Sequence, residues 1–244
     1  MKYDFTSIMK RNGMDALAVD SLGHNPMAPT PPKEGFDFIP MWVADMNFPT
    51  VPTITEAIIR RAQHPAFGYF APRKEYFDSI IQWHKDRNGV EGLTPACIGY
   101  ENGVLGGVIS ALNVFCSKGD NVLLNSPTYI GFTNCLTNNG YHMVLSPLVK
   151  DEKNVWRMDF EDMEKKIVEN KIHAAIFCSP YNPCGRVWER WEIEKAMELY
   201  KKYDVMVVSD EIWSDIILEG YKHIPTQSVS EDAKMRTVAL YAPS

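Results

Sequence analysis

The sequence lacks the marks of several large protein classes. It contains no G-x-G-x-x-G and no G-x-x-x-x-G-K-[ST], so neither the dinucleotide fingerprint nor the P-loop is present. It contains no C-x-x-C and no H-E-x-x-H, which leaves a zinc site without support. Cysteines are few and odd in number: Cys97, Cys116, Cys135, Cys178 and Cys184 show no paired spacing. They read as free thiols in a reducing compartment, and so as a cytoplasmic protein. Basic residues are outnumbered, 25 to 31, for a net charge of -6, and they form no stripe that would suit nucleic acid. No apolar run approaches the length of a membrane span. The first ten residues lack the continuous apolar core of a secretory signal.

What remains is a globular composition: 244 residues, 45% hydrophobic and 23% charged. That length accommodates one large domain, or one domain with part of another. Prolines and glycines crowd residues 21–53 (Pro26, Pro29, Pro31, Pro32, Gly35, Pro40, Pro49, Pro52). Proline fixes φ and removes a donor, so this stretch predicts an extended, irregular arm. We therefore expect an N-terminal arm over residues 1–52, contributing to a smaller domain, and a large domain over 53–244. Residues 53–63 predict a helix with Thr53 as N-cap and Glu56 completing a capping box. Residues 75–88 predict a second helix closed by Gly89, and residues 103–116 a third, mostly apolar and buried.

From there, short apolar runs alternate with amphipathic stretches. N-V-L-L-N (121–125), residues 141–145, A-A-I-F-C (174–178), V-M-V-V-S (205–209) and T-V-A-L-Y (237–241) read as strands. Residues 159–169 and 189–203 read as helices. Such alternation predicts an α/β fold, with helices flanking a mainly parallel central sheet. In such sheets ligands sit beyond the carboxyl ends of the strands, so the residues that follow each run carry the functional argument.

Four such endings stand out. Gly103-Val104-Leu105 opens the apolar helix, where free N–H groups and the helix dipole suit a phosphate; a glycine-rich turn packed on the sheet would look the same. Tyr129, in Ser126-Pro127-Thr128-Tyr129, could offer a flat ring for stacking, or be a half-buried core tyrosine. Asn182, in Asn182-Pro183-Cys184-Gly185, has a rigidly held amide free to donate, or belongs to a plain turn. Asp210 and Glu211 follow a buried strand, where an unpartnered charge is costly. Alternation puts them on opposite sides, so they are not expected to act as a pair. Asp210 suits a cation or protonated ring nitrogen, or is a helix N-cap. Together these make an anion nest, an aromatic plate, an amide donor and a carboxylate on one rim. Pyridoxal 5′-phosphate (PLP), a phosphorylated nitrogen heterocycle with a phenolic oxygen, is the leading fit.

With P-M-W-V-A-D-M (40–46), G-Y (68–69), P-T-Y (127–129), N-P-C-G-R (182–186) and S-D-E-I (209–212) in order, the chain from about residue 36 onward resembles the class I/II aminotransferases of PLP fold type I. P-M-W-V-A-D-M with F-G-Y is similar to the cystathionine β-lyase-like branch in particular. The resemblance implies that Gly103, Val104 and Leu105 bind the phosphate, Tyr129 stacks on the ring, Asn182 meets the phenolic oxygen and Asp210 pairs with the ring nitrogen. Asp210, Tyr129 and Asn182 are thus the catalytic candidates. Ala44 and Asn182 would lie at the substrate, and Tyr69 would reach the phosphate of a neighbouring subunit in a homodimer. Trp213 stands where relatives carry Tyr or His near the phenolic oxygen, and an indole can only donate. Ala242 stands where many relatives have a phosphate-binding serine, and Ser244 is expected to take part of that load. A Schiff-base lysine is expected immediately after Ser244, and the carboxylate-binding arginine further on.

The implied activity is β-elimination from L-cystathionine or a related cysteine S-conjugate, giving pyruvate, ammonia and a thiol. Transamination of an L-amino acid is the alternative, because the same groups serve both routes. A non-catalytic regulator on the same fold is the third reading. No metal, nucleic-acid or membrane partner is expected.

Overall fold

The computed structural model describes residues 3–243. They form two compact units that divide after Ala71. The first unit carries a short helix α1 (Leu17–Asp20) and helix α2 (Pro52–Ala62), with no helix or strand between them. Trp42 ties this irregular arm down, its indole N–H donating to the Ala18 carbonyl at 3.0 Å. Arg11 pairs with Asp45 at 2.7 Å. Helix α2 departs from the expected start: Pro52 is its first residue, Val51 is the N-cap, and no side chain caps it. Proline at the first helical position leaves no N–H unpaired and has a helical φ already, so the N-cap lies two residues earlier than Thr53 and the Thr53–Glu56 box does not form.

The second unit begins with α3 (Lys74–Asn88) and α4 (Val104–Phe115). Gly89 ends α3 in the left-handed conformation at φ 65°, which glycine adopts without a Cβ penalty. Then come β1 (Asn121–Ser126), α5 (Ile130–Asn138), β2 (His142–Pro147), β3 (Val149–Lys150), β4 (Trp156–Arg157), α6 (Phe160–Glu169), β5 (Ala174–Cys178), α7 (Arg190–Lys202), β6 (Met206–Asp210), α8 (Glu231–Arg236) and β7 (Thr237–Leu240). Five strands form one sheet in the order β2-β1-β5-β6-β7, every neighbouring pair parallel. The expected parallel α/β sheet is thus present. The β3–β4 hairpin is a separate antiparallel pair that the sequence pattern did not announce.

All five residues of β5 are buried, so both faces of the central strand are covered, as an unbroken apolar run requires. Helix α4 packs on β5, β6 and β7, and α5 and α6 pack on β2. Gly107 makes the α4 contact close: a Cβ there would come within 2.8 Å of Leu240 Cδ2. The core continues through Leu112, Phe132, Met163, Trp188, Ile193 and Tyr200, all buried. Among the described residues no helix is long and apolar enough to cross a membrane.

Candidate active site

The strand order brings three of the expected residues to one rim. Tyr129 follows β1, Asn182 follows β5 and Asp210 ends β6, and these strands are neighbours in the sheet. The first turn of α4 reaches the same end, because Gly107 lies against Leu240 at the close of β7 and Leu105 lies beside Gly131. Gly103 is the N-cap at φ 80°, a conformation that L side chains rarely adopt. The N–H groups of Val104, Leu105 and Gly106 open the helix with no acceptor one turn back, where the dipole favours an anion.

Each of these groups has an open polar end. Tyr129 is 38% exposed, its ring set edge-on to Phe132 with centroids 5.4 Å apart. A Cβ on Gly131 would fall 2.2 Å from that ring, so glycine at 131 is what lets Tyr129 lie flat there. Among the described residues, the Tyr129 hydroxyl, the Asn182 amide and the Trp213 indole N–H make no side-chain hydrogen bond. By contrast, Tyr181 donates to the Pro127 carbonyl at 2.8 Å and Trp188 to the Cys178 carbonyl at 2.9 Å. The Tyr181 bond ties the Asn182 turn to the Tyr129 turn, and the sequence alone gave no sign of it. The Ser126–Pro127, Ser179–Pro180 and Asn182–Pro183 peptides in these turns are cis.

Asp210 is 5% exposed. Its side chain accepts one hydrogen bond, from the Ile212 N–H at 3.1 Å, closing a turn rather than capping a helix. No cation pairs with it among the described residues. Burial pushes its carboxyl up to about 6, the Ile212 bond opposing and the Glu211 charge adding to the rise. Below the site, the Cys178 thiol is pushed up to about 12 by burial and the nearby Asp210 charge. It therefore stays protonated and fills space rather than acting as a nucleophile.

The raised Asp210 carboxyl has a consequence for stability. The fold favours its protonated form, so the contribution is complete below the ordinary carboxylate range, near pH 4. It is lost as the pH rises through about 6, a swing on the order of 3 kcal/mol. Cofactor-free protein should thus lose stability between pH 4 and 6 relative to Asp210→Asn, as read by urea unfolding at each pH. Parallel curves for the two proteins would show that Asp210 is not desolvated.

Glu211, the neighbour, points into the interior, and the two carboxylates share no hydrogen bond. Its partners, His223 and Tyr241, lie 12 and 30 residues further on. A buried charge in the sequence demanded partners but could not name them. Ala44 and Tyr69 belong to the first unit, and both are exposed. Ser244 lies outside the described residues.

The family model for class I and II aminotransferases matches residues 37–241. The chain belongs to this family. Cystathionine β-lyase PatB of Bacillus subtilis is 38% identical over 85% of this chain and 53% of its own length. Among solved structures, cystalysin from Treponema denticola, which contains a pyridoxal 5′-phosphate cofactor, superposes with a TM-score of 0.89 at 32% identity, over 100% of this chain and 60% of that one. The PLP-bound C–S lyase from Staphylococcus hominis gives a TM-score of 0.85 at 30% identity, over 99% of this chain and 59% of that one. Aminotransferases occur as well: the aspartate aminotransferase of Pyrococcus abyssi is 24% identical over 79% of this chain and 49% of its own length. The chain spans about half to three-fifths of the lengths of these relatives.

Proposed function

We propose that this chain forms the cofactor-binding part of a PLP-dependent carbon–sulfur β-lyase acting on L-cystathionine or a related cysteine S-conjugate. The observation that carries the reading is Asp210: a carboxyl at the rim of a parallel sheet, buried, with a single backbone donor and no cation among the described residues. A protonated pyridine nitrogen is the partner it lacks, and an adjacent carboxylate favours that cation. The open N–H groups behind Gly103 suit the phosphate at the same rim.

When bound, PLP supplies the electron sink for carbanion chemistry at the Cα of an amino acid. The residues of this chain supply binding and electrostatics. Val104 and Leu105 hold the phosphate through backbone N–H groups, and Gly103, whose own N–H donates to the Glu101 carbonyl at 3.0 Å, turns the chain into the helix beside it. The Tyr129 ring covers one face and fixes the plane. The Asn182 amide donates to the phenolic oxygen and Asp210 keeps the ring nitrogen protonated. Trp213 donates through its indole N–H, and Ser244 adds to the phosphate contacts. Ala44 is assigned to the substrate side and Tyr69 to the phosphate of a second subunit. A homodimer is in keeping with the exposed Ile54, Ile58 and Ile59 of α2 and the fully exposed Tyr69. A cytoplasmic enzyme is in keeping with five cysteines that are all free.

The PatB, cystalysin and C–S lyase likenesses favour elimination, and the aspartate aminotransferase likeness keeps transamination as the second reading. The test is an assay of the full-length protein with L-cystathionine, following pyruvate and the visible absorbance of bound PLP. Pyruvate release with a visible band is expected. A band without pyruvate would move the assignment to transamination, and the lack of any band after adding PLP would remove the cofactor assignment.

A further inference from the structure

A buried cluster of hydrogen bonds in the second unit centres on a residue that is not one of the expected site residues. Glu211 is fully buried. Its Oε1 accepts from the Ser209 hydroxyl at 2.9 Å and from the Thr226 N–H at 3.0 Å. Its Oε2 accepts from His223 Nε2 at 2.6 Å and from the Tyr241 hydroxyl. The His223 Nε2–H faces Glu211, and Nδ1 meets no partner among the described residues. The Ser209 hydroxyl also meets the Thr226 hydroxyl at 2.9 Å. Burial pushes the Glu211 carboxyl up, but the bond and charge of His223 and the bonds from Tyr241 and Thr226 outweigh it, and the net direction is down.

The location gives this cluster its meaning. Among the described residues β7 pairs with β6, and all its residues are partly buried. Its ladder ends at Leu240, which faces Asp210 in register, with the Glu211 N–H donating to the Leu240 carbonyl at 3.0 Å. That bond is the last rung of the ladder between β6 and β7. The next residue is Tyr241, whose hydroxyl reaches Glu211 and whose ring packs edge-on against His84 of α3 at 4.3 Å. A charge-assisted bond therefore joins the two strand ends beyond the last rung, and such bonds are about twice as strong as neutral ones.

We propose that Glu211 is a positioning residue for the PLP site: by clasping Tyr241, it fixes the end of β7 and the Ala242 that follows against the end of β6, one residue from Asp210. The inference rests on the PLP reading above and concerns how the rim is held rather than which groups touch the cofactor. A carboxylate buried only for stability would be replaceable by apolar packing. A clasp should instead be felt at the cofactor.

The test uses the full-length holoenzyme and Tyr241→Phe, which keeps the ring against His84 and removes only the hydroxyl, with Glu211→Gln as the second variant. Visible circular dichroism of bound PLP, the PLP dissociation constant and the separate kcat and KM values are read. Both variants are expected to lose much of the visible circular dichroism, to bind PLP about tenfold more weakly and to lose about tenfold in kcat with KM little changed, the factor of one lost charge-assisted bond. Wild-type circular dichroism and PLP affinity in Tyr241→Phe would overturn the proposal, whatever happens to its urea midpoint. Failure of Tyr241→Phe to fold would overturn it too, because the hydroxyl would then be structural. Wild-type protein that shows no visible band with PLP would instead remove the cofactor reading, and this inference with it.

Discussion

Asp210→Asn should lower kcat/KM by roughly 10- to 1,000-fold while PLP remains bound. An adjacent carboxylate holds a cationic partner in its charged form by roughly 1–3 pKa units, and each unit corresponds to a factor of ten. Asparagine has nearly the same shape and can still accept the Ile212 N–H, so the fold and the open N–H groups at the start of α4 are left intact. What disappears is the charge that keeps the ring nitrogen protonated, and with it the stabilisation of negative charge arising at Cα. The visible band of the bound cofactor separates this outcome from simple loss of PLP. A variant within threefold of the wild type would sink the Asp210 assignment. A variant that no longer binds PLP would mean that Asp210 holds the cofactor rather than tuning it.

Glu192→Ala is the substitution with the largest expected effect on stability. Glu192 is fully buried at the start of α7. Its Oε2 accepts the Glu189 N–H at 2.9 Å, capping the helix, and lies 2.5 Å from Arg186. Its Oε1 lies 3.1 Å from Arg157. Arg186 closes the turn that carries Asn182: its carbonyl accepts the Tyr181 N–H at 2.7 Å, and the Gly185 N–H donates to the Tyr181 carbonyl at 2.8 Å. Removing the carboxylate strands a guanidinium of which only 12% of the side chain is exposed. Breaking a buried pair in this way costs about 3–5 kcal/mol. The expected result is a lower urea midpoint with an unchanged slope, accompanied by weaker PLP retention as the Asn182 turn loosens. A loss below about 1 kcal/mol would show that water or Glu189, 3.9 Å from Arg186, takes over the pairing.

The two predictions differ in how visible their residues were. Asp210 stood out in the sequence because it follows an unbroken apolar run, and in a parallel sheet the run's end is the ligand side. Tyr129 and Asn182 stood out for the same reason. Glu192 looked like any acidic residue on an amphipathic helix. Its burial depends on Arg157, 35 positions earlier, which the β3–β4 hairpin delivers to the start of α7, and nothing in the local pattern announced that hairpin.

The sequence by itself determined the strands of the parallel sheet and the longer helices, though not the β3–β4 hairpin or the short α1 and α8, because apolar periodicity and glycine and proline positions are local properties of the chain. It also determined which residues stand at the strand ends, and through its motifs the family. One local expectation gave way, the Thr53–Glu56 box, because Pro52 met the needs of the helix start more directly. The tertiary structure alone decided the strand order β2-β1-β5-β6-β7, and so which strand ends became neighbours. It also decided the partners of Glu211 and Glu192. Those hydrogen bonds join residues far apart in the chain, and they exist only once strand register and helix packing have brought their donors within 3 Å or so of a buried carboxylate.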